Sequence, residues 1–252
     1  MDTVYRARIE AEFRYCVLNT IERLNNNPET NRPFHTALLS DEALFWSRFE
    51  RSFSTSFGQR VIEEISMIAA LAGGAVEASR QKHTEVQIDS GIDEAITAHM
   101  NALRSARHPA AYSWNETLDE ISRAPRTGEL VTRLVISDLW WLKDDIDHYM
   151  SIKTVKPNID QTAVAKQDLL RLKLATPTCE VYFGLYYNPY GEERTAYAHT
   201  PPMRIFNFHE DPVVLIGRDY WDTLGGEGTY DIILEIARKV GAETRARLQG
   251  LY

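Results

Sequence analysis

Asp138, in LVISDLWWL, and Lys153, in HYMSIKTV, are the residues whose types and spacing point to chemistry. Both stretches alternate as strands do, and the KDDID segment between them reads as a turn. A turn centred near Asp144–Asp145 sets Asp138 nearly opposite Ser151 and Lys153. A carboxylate and an ammonium then meet near the ends of two adjacent strands. The carboxylate can hold a divalent cation through oxygen, as Mg²⁺ prefers. The ammonium can orient or deprotonate a water and balance charge on a phosphate. Metal-assisted hydrolysis of a phosphodiester uses both. Taken singly, each has a plainer role: Asp138 pairing with Arg133 or capping a turn, Lys153 burying its stem and reaching solvent with its head. The pairing points to function, because perturbed charges cluster at sites.

These residues need a sheet to hold them. On alternation Asp138 shares a face with Leu134, Ile136 and Trp140, while Met150 and Ile152 face away from Tyr149, Ser151 and Lys153. From 130 to about 216 the pattern is mostly strand: the hairpin, then TCEVYFGLYYN, then MRIFNFH and PVVLIG as short candidates. A crossover helix spans about 159–174. The first 125 residues read as helices. Ile9, Phe13, Cys16, Val17, Ile21 and Leu24 repeat at helical spacing. A second helix starts after Ser40, an N-cap type. SFSTSFGQ reads as a break, VIEEISMIAALAGG as a buried helix, and two more helices cover roughly 92–106 and 113–123. TYDIILEIARKVGAETRARL closes the chain as an amphipathic helix. The expected fold is α/β: a mixed sheet flanked by helices, in one domain over 1–252, with a helical N-terminal half (1–125) packed on a core at 126–252.

Composition narrows the classes. No run of about 18 apolar residues exists, so no membrane span is expected. The charged stretch MDTVYRARIEAEFRYC lacks an apolar signal core, and Cys16 and Cys179 make no disulfide or zinc framework. The expected location is the cytoplasm. A net charge of −8 speaks against a protein that coats nucleic acid non-specifically but leaves room for a local basic cleft. No HExxH or zinc spacing occurs, and Gly225-Gly226 precedes a helix without a P-loop lysine.

Asp138, twelve intervening residues, then Ser151-Ile152-Lys153 resembles the core of the PD-(D/E)XK nucleases. More closely, SIKTVKPNIDQ with the helix AKQDLLRLK resembles the TdeIII-type group of type II restriction endonucleases, as do GRDYWDTLGGEGTYDIILEI and SFSTSFG, in scattered blocks over about 50–240. The resemblance implies a prokaryotic homodimer that cuts duplex DNA at short palindromic or interrupted sites with Mg²⁺, leaving 5′-phosphate and 3′-hydroxyl ends. A GGNCC-like site enters by family analogy alone. The pattern departs at Ser151, where the family usually carries Glu or Asp; a serine cannot replace that carboxylate on a metal. Asp168 on the following helix, or Glu63 or Glu64 on the buried third helix, are the candidate substitutes, with the glutamates favoured. Asp138 would bind Mg²⁺, Glu63 or Glu64 would complete the site, and Lys153 would position the water.

Candidate DNA contacts are Lys156, Asn158, Gln161 and Lys166, with Arg171 and Lys173 in the same basic run. Arg194, Arg204 and Asn207 lie where base-reading elements often sit. Trp140 and Trp141 read as core. A structure-specific repair nuclease and a DNA-binding protein with an inactive site are the competing readings, the second resting on Ser151.

Overall fold

The computed structural model describes residues 1–26, 31–105 and 113–249. The helices are α1 (Thr3–Asn26), α2 (Pro33–Leu38), α3 (Asp41–Ser56), α4 (Ile62–Ala72), α5 (Ser90–Arg104), α6 (Trp114–Ser122), α7 (Ile159–Ala175), α8 (Arg218–Gly225) and α9 (Thr229–Gln249). The strands are β1 (Glu77–Asp89), β2 (Leu130–Lys143), β3 (Ile146–Lys153), β4 (Glu180–Leu185) and β5 (Val214–Ile216), in the order β1-β2-β3-β4-β5. β1, β2 and β3 are antiparallel neighbours; β3, β4 and β5 run parallel. The parallel step from β3 to β4 needs a long crossover, and α7 supplies it. The fold is the expected α/β type, a mixed sheet with flanking helices.

The hairpin turn falls where its aspartates predict. Asp144 and Asp145 both take positive φ, 52° and 60°, between Lys143 and its partner Ile146. Two left-handed residues make the tight turn that matches strand twist, and aspartate tolerates that backbone. The register then pairs Leu139 with Met150, so Asp138 comes level with Ser151.

Two cores sandwich the sheet. One gathers α5, α6 and α7 with Val135, Trp140, Tyr149 and Phe183. The other gathers α1, α4, α8 and α9 with Leu139, Trp141, Met150 and Ile152. Val135 and Leu139 are both odd-numbered on β2 yet enter opposite cores. On β1, Ala78 and Val86 do the same. Both strands therefore exchange faces partway along. The exchange lies at Gln81, whose φ is +50°, and its partner position Asp138, while the register is the same on either side, Arg80 with Leu139 and Lys82 with Ser137. A left-handed residue breaks the pleat, so strict alternation fails there. Leu134 and Ile136 accordingly do not line up with the buried Trp140; they are 56% and 46% exposed.

α2 and α8 go unread in the sequence, and three further elements differ from the reading. β1 lies inside the stretch read as helical. Its EASRQKHTEVQID run is polar, and only near its end are residues fully buried, so no periodicity announces it. SFSTSFGQ is not a break: α3 passes through a π-helical turn, Phe57–Val61, into α4. Phe49, Phe53 and Phe57 stack in one file there and Phe57 meets Tyr186, which outweighs the weak helix propensity of serine, threonine and glycine. MRIFNFH is no strand. A 3₁₀ turn (Pro201–Arg204) leads into irregular chain whose Ile205, Phe206 and Phe208 fill the first core. The buried Asp211 carboxylate pins that segment by accepting from the amides of Asn207 and Trp114.

Among the described residues no helix is long and apolar enough to cross a membrane.

Candidate active site

Asp138 stands where β2 and β3 part. One carboxylate oxygen, Oδ2, accepts from the Ile152 amide at 2.7 Å, from Lys153 Nζ at 2.8 Å and from Ser151 Oγ at 3.2 Å. A side chain thus takes the place of a ladder carbonyl at the strand fork. The hairpin brings these groups together, as their spacing predicts. Asp138 and Lys153 side chains are 20% and 23% exposed, open enough for a substrate and closed enough to strengthen their attraction.

The other oxygen, Oδ1, accepts from Gln81 Nε2 at 3.4 Å. The same amide donates to Glu63 Oε1 at 3.1 Å. Glu63 reaches the site from α4, which packs on β1 and β2. Its seat is set one turn further on, where the buried Ser66 hydroxyl meets the Tyr220 hydroxyl of α8 at 2.5 Å. Tyr220 in turn lies against Gly184 of β4, where an added Cβ would come within 2.5 Å of the ring. Glu63 is held above the ordinary glutamate range, chiefly by burial, with repulsion from Asp138 adding and the Gln81 hydrogen bond opposing.

The remaining candidate acids are drawn elsewhere. Glu64 pairs with Arg80 at 3.0 Å. Asp168 pairs with Arg171 at 3.5 Å; burial raises its pKa, while Arg171 and the more distant Lys153 lower it. Of the candidate substitutes for the missing acid, Glu63 is the one joined to Asp138 through a shared donor. Gln81 lies outside the set that the sequence suggests. It sits in a strand without apolar periodicity, and no motif marks it.

Among the described residues, no three His, Cys, Asp or Glu side chains converge as a metal cage. Asp138 and Glu63, linked through Gln81, could instead offer two carboxylates to a cation. That set suits a hard, oxygen-seeking cation that keeps some of its water shell.

The expected DNA contacts divide. Lys156 is exposed, its ammonium 5.3 Å from the Tyr190 ring centre, and it remains accessible. Asn158 and Gln161 form the capping box of α7: Asn158 Oδ1 accepts from the Gln161 amide at 2.8 Å, and Gln161 Oε1 from the Asn158 amide at 3.4 Å. Lys166 is wholly buried and donates to the Ile205 carbonyl at 2.7 Å, so it cannot meet a phosphate. The amphipathic reading fails for it because irregular chain covers that face of α7. Arg171 binds Asp93 at 2.8 Å, and Lys173 the Cys179 carbonyl at 2.6 Å. Arg194 is spent on the carbonyls of Phe208 and Asp211, and Asn207 on Glu210. Arg204 donates to the Arg104 carbonyl at a long 3.5 Å. Trp140 and Trp141 are core residues; Trp140 also donates to Asp147 at 2.8 Å.

Residues 6–241 match the family model described as "Type II restriction endonuclease, HinfI". Type II restriction enzyme HgiEI of Herpetosiphon aurantiacus is 31% identical over 253 residues, covering 98% of this chain and 89% of that protein. Type II restriction enzyme HgiBI of the same organism is 31% identical over 224 residues, covering 86% and 80%.

Proposed function

The chain belongs to the HinfI family of type II restriction endonucleases, and on that premise we propose that its Asp138–Lys153 centre hydrolyses duplex DNA with Mg²⁺ at a specific site, leaving 5′-phosphate and 3′-hydroxyl ends. The observation that carries this reading is the convergence on Asp138 of Lys153, Ser151 and the Ile152 amide, with Glu63 brought to the same place by Gln81. It is the arrangement expected of a PD-(D/E)XK centre in its TdeIII-type variant, with the second acid arriving from α4.

The roles follow from the donors and acceptors. Asp138 and Glu63 would hold the cation, which when bound offsets charge on the phosphate and lowers the pKa of coordinated water. Lys153 would hold the attacking water by a hydrogen bond and face the anionic phosphate. Ser151 supplies no charge. Its hydroxyl donates to Asp138 and keeps that carboxylate turned toward the fork. Glu63 supports an active centre despite Ser151, since it shares the Gln81 amide with Asp138 from another element.

Residues 1–252 form one nuclease domain on this reading, supported by α4 lying on β1 and β2 and α1 on α9. A palindromic site calls for a two-fold homodimer, because protein symmetry mirrors that of the duplex. The working place of such an enzyme is the cytoplasm of a prokaryotic cell, where incoming DNA is met.

The test is digestion of unmethylated phage DNA by wild type and Lys153→Ala, each with Mg²⁺ and with EDTA. Discrete fragments from the wild type in Mg²⁺ alone are expected, and their mapped ends give the site. A folded wild type that binds the same DNA in Mg²⁺ without cutting it overturns the proposal in favour of a DNA-binding protein.

A further inference from the structure

α2 and α3 are unusual in this fold because neither contributes a buried residue. They carry a pocket of about 140 Å³ whose lining includes Arg32, His35, Arg48 and Arg51, with the hydroxyls of Thr36 and Ser47. Among the described residues no acidic side chain lines it. Arg32, His35 and Arg51 make no ion pair among the described residues, in a chain of net charge −8. Glu50, next in sequence to Arg51, accepts from Ser54 instead. That volume is several times the roughly 30 Å³ share of one water and leaves room for a phosphate group.

We propose that this pocket binds a backbone phosphate of the DNA duplex, at a distance from the bond that is cut. Guanidinium groups suit phosphate because they present paired donors at fixed geometry. The pocket is also mechanically continuous with the candidate active site. From Arg51 the chain stays helical through α3, the π turn and α4 to Glu63, twelve residues on. At 1.5 Å per residue that is about 18 Å. A duplex covers this distance in about five base pairs, taking 3.4 Å per step along one strand. Phe34 and Leu38, 80% and 82% exposed, stand beside the pocket on α2. A second copy of the chain fits the pocket less well, since two-fold pairing across it would set arginines against arginines. The proposal rests on the chain being a DNA enzyme and does not depend on the Asp138 centre being active.

The experiment measures binding of a labelled duplex in EDTA, where no cleavage occurs, over a series of salt concentrations. Wild type, Arg51→Ala, Arg51→Lys and Arg32→Ala/Arg51→Ala are compared, with folding checked by circular dichroism. Removing one phosphate interaction lowers the slope of log K against log salt by about 0.9. The single alanine variant is expected to drop by about one such step, the double variant by up to two, and the lysine variant by little, equally on two unrelated duplexes. Arg51→Gln serves if an alanine variant does not fold. An unchanged slope in the double variant overturns the proposal while leaving cleavage untouched. A titration with inorganic phosphate at constant ionic strength, read by tryptophan fluorescence (Trp46 is on α3), separates the sources: saturable binding with an unchanged DNA slope makes the pocket a free-anion site. Sedimentation supplies the last arm. Dissociation of an oligomer in the double variant assigns the surface to an interface between copies and overturns the DNA assignment.

Discussion

An amide that touches two carboxylates holds like charges side by side, which neither would tolerate alone. Gln81 does this for Asp138 and Glu63, from a backbone that a non-glycine residue enters only at a cost. Gln81→Ala is therefore expected to lower cleavage about 10- to 100-fold and to shift the Mg²⁺ dependence to higher concentration, the usual size of effect for a residue that orients ligands. Gln81→Glu should be worse, because it places a third carboxylate between the two. Rates measured across a Mg²⁺ series check both; wild-type rates in the alanine variant would remove Gln81 from the site. Asp138→Asn should abolish cutting while leaving DNA binding in EDTA within a few-fold. At this scale the sequence is partly legible. Asp138 and Lys153 can be read because one short hairpin joins them, so spacing alone brings them together. Glu63 stays one of two neighbouring glutamates, since the choice depends on which of them Arg80 takes. Gln81 is invisible, because nothing local to its strand encodes a partner on another.

Asn158 shows how an element can explain a residue that its place in a motif assigns to chemistry. It stands five residues after Lys153, in a block that suggests DNA contact, yet it caps α7. Asn158→Ala should cost about 1 kcal/mol of stability, and Asn158→Asp should restore most of it. Duplex affinity in EDTA should not change. A loss of affinity without a fall in melting temperature would return Asn158 to the DNA surface. Most helices are legible because their apolar stripes or caps are local. The Ser40 cap is one: its hydroxyl accepts from the Ala43 amide at 3.2 Å. β1 is not, because pairing with β2 defines it and that partner lies some fifty residues away. The π turn escapes for a related reason: a file of aromatic rings, each packed on the last, holds a segment whose composition reads as loop.

The whole molecule is a sheet between two cores, and one buried lysine couples the first core to pH. Burial pulls Lys166 down from 10.5 to about 8, with Asp211 opposing. Below pH 8 the folded protein carries a buried ammonium at a cost. Between about 8 and 10.5 the folded state has released this proton and the unfolded state has not, so this group makes stability rise with pH. The increment approaches about 3 kcal/mol. Buried Cys16 and Cys179, raised to about 11, act in the opposite direction above pH 9. The measurable quantity is thus the difference from Lys166→Met. Urea titrations should show wild type gaining on the variant from pH 8 to 10; parallel curves would mean that Lys166 is not depressed. The π turn has a consequence at this same scale. It inserts one residue beyond the even winding of the rod that carries the arm of α2 and α3 at one end and Glu63 at the other. One residue is about 100° of rotation about a helix axis. Deleting Gly58 would restore uniform winding and swing the arm through more than a quarter of a circle relative to the acid. Phe57–Val61 is therefore the joint that sets the angle at which the arm is carried.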